Sequence, residues 1–128
     1  TGATVPGPVA GVSNVARTVA QEAGAVKVFA NFDAANKALG SRPFEKFHHI
    51  VEQCQSKIGR SGFTKAEINN TNNLISLTDA VHDPVSAYYS TIQPGATTAF
   101  RNTMNGRPFS EQLSEGLRVI EEIMKGQE

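Results

Sequence analysis

RPFEKFHHIV (residues 42–51) and NNLISLTDAVHDPVSAYY (residues 72–89) are the two stretches that decide how this chain is read. In the first, Phe44, Phe47, Ile50 and Val51 surround a His48-His49 pair, which reads as an extended segment running into a loop. In the second, Asn72-Asn73 turns the chain into Leu74-Ile75-Ser76-Leu77, a short alternating run that reads as a second strand. Asp79 to Tyr89 then reads as a helix with Val81, Val85 and Tyr88 or Tyr89 on one face. Pro84 is expected in its first turn, where a missing N–H costs nothing.

Working outward, Thr64 and Glu67 form a capping-box pattern that predicts a helical turn over residues 65–69. In the N-terminal third, Ser13 is the expected cap of a short helix carrying Val15, Val19 and Ala20 and ending near Gly24. A second helical stretch is expected from the spacing of Val26, Phe29 and Ala30, continuing through Asp33 to Leu39 and stopped by Gly40. After Pro94-Gly95 the chain is polar as far as Gly106-Arg107-Pro108. The last element is the clearest helix, with Ser110 as expected cap and an apolar stripe of Leu113, Leu117, Ile120 and Met124 widened by Ile123. These elements predict an α+β, mainly helical domain over residues 12–128. Residues 1–11, with three glycines and two prolines, read as a linker to an upstream domain. The first residue is Thr1 and not Met, which also suggests a piece of a longer polypeptide.

With 128 residues, 39% of them hydrophobic, the chain suits one packed core. The 12 basic and 12 acidic side chains cancel, so overall charge gives no support to nucleic-acid binding. The distribution is uneven. Arg42, Lys46, Lys57, Arg60 and Lys65 make residues 42–65 locally basic, while Glu111, Glu115, Glu121, Glu122 and Glu128 gather near the C-terminus. A phosphate-facing surface and a merely solvated face fit that asymmetry equally. The single cysteine, Cys54, excludes an internal disulfide, and no apolar run approaches the roughly 20 residues that span a bilayer.

All three histidines lie in the two opening stretches. Imidazole both ligates divalent metals and accepts protons near neutrality, so neighbouring histidines can divide those tasks, one binding and one taking the proton. For phosphodiester cleavage an ion stabilises charge on the phosphate and leaving oxygen while the base activates water. An Asn side chain can orient such a base by hydrogen bonding, and Asn73 is the candidate.

The string from Phe47 through His48, His49, Ile50, Val51 and Glu52 to Gln53, then Asn69 to Ile75, then His82 with Ser86-Ala87-Tyr88-Tyr89, resembles the HHIVEQ-type pattern of polymorphic-toxin nucleases in the His-Me finger (H-N-H/endonuclease VII) superfamily. The resemblance covers about residues 44–90. It implies a small ββα metal finger embedded among helices and a metal-dependent endonuclease. By the same resemblance His49 is the general base, Asn73 the residue that holds it, and His48 and His82 are metal ligands. The spacing also matches colicin-type relatives, in which a His follows the Asn by nine residues as His82 follows Asn73. The family context implies the C-terminal toxin of an Rhs-like secreted delivery polypeptide, exported by a specialised secretion system, acting in the target-cell cytoplasm and held in check by a cognate immunity protein.

This chain also departs from that pattern. Colicin-type members carry a further His four residues after the helix His, where Ser86 stands here, and Asn69 occupies a position where some relatives carry His. Two imidazoles alone favour Mg²⁺ with several waters over tightly held Zn²⁺, with Mn²⁺ also compatible. Glu52 reads equally as a third ligand or as an ion-pair partner, and Lys57 and Arg60 equally as phosphate contacts or loop charges. DNA is the expected substrate, with RNA left open by the sequence, because members of the resembled family attack both and no aromatic platform for single-stranded bases is evident. The rival reading is a non-catalytic protein-binding module, with a structural zinc or with no metal.

Overall fold

A computed structural model of the chain describes residues 16–40 and 42–127; the expected linker at residues 1–11, and Ser13 and Val15, lie outside them. The fold mixes helices with one small sheet. In chain order the elements are α1 (Val19–Ala23), α2 (Phe32–Leu39), β1 (Glu45–His49), α3 (Lys65–Ile68), β2 (Leu74–Thr78), α4 (Asp79–Ser90), α5 (Phe100–Thr103) and α6 (Phe109–Gly126).

The expected pair of strands is present: β1 runs antiparallel to β2, with Glu45 opposite Thr78, Phe47 opposite Ser76, His48 opposite Ile75 and His49 opposite Leu74. Phe44 stays outside the strand, 91% exposed, with a φ of 63° that bulky side chains rarely adopt. Successive residues of a strand point to opposite faces, so this register sorts the sheet into two sides. Ile75 and Leu77 face a core shared with Ile50, Val81, Val85, Tyr89, Leu117, Val119 and Ile120, supplied by α4 and α6. Leu74 faces a smaller cluster with Val19 and Ala35, flanked by Phe29, Phe32 and Phe47, supplied by α1 and α2.

The segment from residue 50 to 73 that joins the strands is held by two devices. The Thr64/Glu67 capping box forms as expected and starts α3, with Thr64 Oγ1 accepting from Glu67 N at 3.1 Å and Glu67 Oε1 accepting from Thr64 N at 2.9 Å. The second device is Asn73, wholly buried. Its amide donates to Val51 O at 3.0 Å and Ile68 O at 2.9 Å and accepts from Val51 N at 2.6 Å. With Ile50 N donating to Asn73 O at 2.9 Å, one residue ties the exit of β1 to the entrance of β2.

Four local expectations are corrected. Helix α1 is capped by Thr18, not Ser13, because Thr18 forms a complete capping box with Gln21. Val26 to Ala30 is not helical: Val28 bridges Asn70, Lys27 N donates to Thr71 Oγ1 at 2.8 Å and Phe29 N to Asn69 O at 3.1 Å, so long-range pairing overrides the helical spacing. Helix α2 instead begins after Asn31, whose side chain accepts from Ala34 N at 2.8 Å, and ends at Gly40, φ 74°. Helix α6 begins at Phe109 after Pro108, one residue before the expected cap Ser110 takes effect. Pro84 lies inside α4, beyond its first turn. Its missing N–H leaves the Ala80 carbonyl without its intrahelical donor, and Gln127 Nε2 donates there at 2.6 Å. The stretch after Gly95 contains the short helix α5, which sequence periodicity did not indicate.

Helix α6 approaches the turn after β1 unusually closely. A Cβ at Gly116 would lie 2.6 Å from Ile50 Cγ2, 2.8 Å from Ile50 O and 2.9 Å from Tyr89 Oη, so only glycine fits. Among the described residues no helix is long and apolar enough to cross a membrane.

Candidate functional site

The alternation of β1 sends the adjacent histidines to opposite faces. His48, opposite Ile75, turns toward α4, where its ring meets that of His82 edge-on with centroids 5.6 Å apart. His49, opposite Leu74, turns toward α2, where its ring meets Phe32 edge-on with centroids 4.5 Å apart. Because both stand at the strand end, both line one cleft of about 770 Å³ together with Phe32, Glu52, His82, Ser86 and Arg101.

The nitrogen atoms of the two rings are in different situations. His48 Nε2 is buried and has no hydrogen-bond partner. Burial, reinforced by the neighbouring His82 and His49, pushes the His48 pKa down to about 3, so the ring is neutral at physiological pH with a lone pair available. His82, on the first turns of α4, places Nδ1 at 3.3 Å from Asp83 Oδ1. His49 is buried, and its Nε2 lies 2.9 Å from Asn69 Oδ1. Burial also lowers the His49 pKa, opposed by the bond to Asn69. Asn69 is itself pinned, its Nδ2 donating to Lys65 O at 2.9 Å.

The structure departs from the expected role at Asn73 and gives contacts for residues whose reading is open in the sequence. Asn73 does not hold His49; its amide is spent on Val51 and Ile68, and Asn69 contacts the imidazole instead. Glu52 lines the cleft and is the ion-pair partner of Arg101, whose Nε and Nη2 donate to its two oxygens at 2.8 Å each. That pair is half-buried and bidentate, the strong geometry for a guanidinium and a carboxylate. Lys57 and Arg60 are not among the residues that line the cleft; Lys57 is exposed, and Arg60 donates to Asn102 and Asn105 at 3.2 and 3.1 Å. Ser86 lines the cleft one helical turn after His82.

Two cations of the basic stretch, Arg42 and Lys46, are paired with carboxylates. Arg42 Nη2 pairs with Glu22 at 3.0 Å and Lys46 with Asp79 at 3.3 Å, so these two, like Arg101 on Glu52, each face a carboxylate at the cleft. Burial and the nearby Glu52 raise the pKa of the Cys54 thiol, so it is not a poised nucleophile. Arg101 was not singled out in the sequence: it lies far along the chain from Glu52 in a polar stretch, and no spacing rule connects them.

Among the described residues no group of three or more His, Cys, Asp or Glu side chains is arranged to hold a metal. The cleft instead brings two imidazoles, those of His48 and His82, side by side. This fits an exchangeable ion and does not fit a closed structural zinc site, which takes four protein ligands. Comparisons with protein-family models, with curated proteins and with solved structures gave no match for this chain.

Proposed function

We propose that this cleft is the active site of a metal-dependent nuclease that hydrolyses phosphodiester bonds, built on β1, β2 and α4 as a ββα metal finger of the His-Me type. The observation that carries the reading is the buried, unpartnered Nε2 of His48 set against His82. A buried polar atom without a partner is costly, and a neutral imidazole in that condition beside a second imidazole supports a pair of metal ligands.

In this reading His48 and His82 hold one divalent cation, Mg²⁺ first, with Mn²⁺ or Zn²⁺ as substitutes. When bound, the ion supplies positive charge to the scissile phosphate and to the leaving oxygen. His49, on the other face of β1 but open to the same cleft, accepts the proton of the attacking water. The water oxygen bonds to phosphorus, the bond to the departing oxygen breaks, and that oxygen takes a proton from solvent while His49 releases its own to solvent. Ser86 faces the substrate side and offers a hydroxyl to a phosphate oxygen. DNA is the preferred substrate of the proposal, RNA the second.

The toxin context belongs to the same proposal and rests on the resemblance of residues 44–90: a delivery polypeptide upstream, export by a specialised secretion system, action in the target-cell cytoplasm, and an immunity protein that covers the cleft. The test is incubation of the domain and its His49→Ala variant with plasmid DNA and with total RNA, with Mg²⁺, Mn²⁺, Zn²⁺ or EDTA. Metal-dependent loss of one substrate, abolished by the substitution, is expected. Failure to cut either substrate with any ion would replace this reading with the protein-binding module.

A further inference from the structure

Asn69 is fixed in a way that determines which nitrogen of His49 carries the proton. Three bonds hold it: its backbone N donates to Lys65 O at 2.8 Å, its Nδ2 donates to the same carbonyl at 2.9 Å, and its own carbonyl accepts from Phe29 N at 3.1 Å. A carbonyl oxygen cannot donate, so the side-chain amide must present its NH₂ to Lys65 O, and flipping it would set two oxygens against each other. The amide oxygen is thereby left facing His49 Nε2 at 2.9 Å. An amide oxygen only accepts, so His49 Nε2 must be the donor.

We propose that Asn69 is the positioning residue of the site: it locks His49 in the Nε2–H tautomer, so that Nδ1 is the nitrogen that takes the proton from water. This rests on the nuclease reading for the use of Nδ1, but the tautomer itself does not. No described residue hydrogen-bonds Nδ1, and the ring lines the cleft, so its lone pair is uncommitted. Phe32, edge-on to the ring, restricts its rotation from the other side. The arrangement also assigns separate work to the two asparagines of residues 69 and 73. Asn73 sets the backbone at the strand end, and Asn69 sets the ring that projects from it.

The test combines nitrogen-15 NMR of the imidazoles with kinetics on the whole chain. In the wild type at neutral pH, His49 is expected to show a pyrrole-type Nε2 with a slowly exchanging proton and a pyridine-type Nδ1. Asn69→Ala should lose that protected proton and lower kcat about 10–100-fold with KM little changed, the usual cost of removing an orienting partner. Asn69→Asp keeps an acceptor toward Nε2 but sets its second oxygen against Lys65 O, so it should restore the protected Nε2–H without restoring full kcat. A proton found on Nδ1 in the wild type overturns the assignment, as does full kcat in an Asn69→Ala variant whose circular dichroism is native. Absence of cleavage by the wild type would overturn the nuclease reading and the use of Nδ1 with it, while the NMR result would still decide the tautomer.

Discussion

Replacing Gly116 by Ala adds one methyl group at the closest approach found for any described glycine. In a helix interior Ala is favoured over Gly by about 1 kcal/mol, so propensity alone predicts a gain. Packing opposes it. The new Cβ would stand 2.6 Å from Ile50 Cγ2, 2.8 Å from Ile50 O and 2.9 Å from Tyr89 Oη. A side-chain methyl can rotate away, but the Ile50 carbonyl belongs to a turn fixed by Ile50 N to Asn73 O at 2.9 Å and by the neighbouring Val51 N to Asn73 Oδ1 at 2.6 Å. Relief therefore requires α6 to move off the core that Leu117 and Ile120 fill. Overpacking of this kind costs about 1–3 kcal/mol, and a backbone obstacle puts it at the upper end, so the net expectation is a loss of about 1–2 kcal/mol. Gly126→Ala, in the same helix with nothing within 4 Å, is the control and should not lose stability. Urea unfolding measures both, the midpoint falling for the first with the slope unchanged. A Gly116→Ala protein as stable as the wild type would refute the close approach of α6 to the turn that follows the histidine pair.

Other expectations follow from the same geometry. His48, with its folded pKa near 3 against an ordinary value of 6.5, is protonated first in the unfolded chain, so its contribution to stability is present above pH 6.5 and is lost as pH falls toward 3. At pH 5 the loss from this group is about 2 kcal/mol, and a His48→Asn variant should show a correspondingly flatter decline between pH 7 and 5 in chemical denaturation; parallel curves would contradict it. Asn73→Ala strands Val51 N, Val51 O and Ile68 O in the interior and should cost about 2–4 kcal/mol in thermal or urea unfolding, with a loss below about 1 kcal/mol showing that the clamp is dispensable. Ser86→His adds an imidazole one turn from His82 and should tighten Zn²⁺ binding at least tenfold by calorimetry, whereas unchanged affinity would mean that residue 86 does not reach the ion.

The strands, α3, α4 and α6 were legible because each carries a local signal: alternation, a capping box, or an apolar stripe on one face. Residues 26–30 were misread because their apolar spacing suits a helix, while their actual partner is a segment more than forty residues on, Val28 against Asn70. Pro84 was misplaced for a similar reason, since its tolerance depends on a donor from Gln127 at the far end of the chain. At the site, the residue types were legible and the contacts were not. His48, His49, His82 and Ser86 line one cleft, yet the amide beside His49 comes from Asn69 and not Asn73, and Glu52 pairs with Arg101. Hydrogen-bond partners across a 24-residue connection depend on how residues 50–73 fold back, which no spacing rule encodes.

Sequence neighbours on a helix would lie about 100° apart around the axis, whereas neighbours on a strand face opposite ways. Placing His48 and His49 on β1 therefore commits them to different surroundings: one to the helix that brings His82, the other to Phe32 and Asn69. A slip of one residue in the pairing with β2 would exchange those surroundings and put each ring where the other's partners are missing. The register is pinned at the strand end by Asn73, whose main chain receives Ile50 N and whose side chain brackets Val51. Asn73 thus governs both histidines without touching either, and its loss should degrade ion binding through His48 and proton transfer through His49 together, where Asn69→Ala should affect His49 alone.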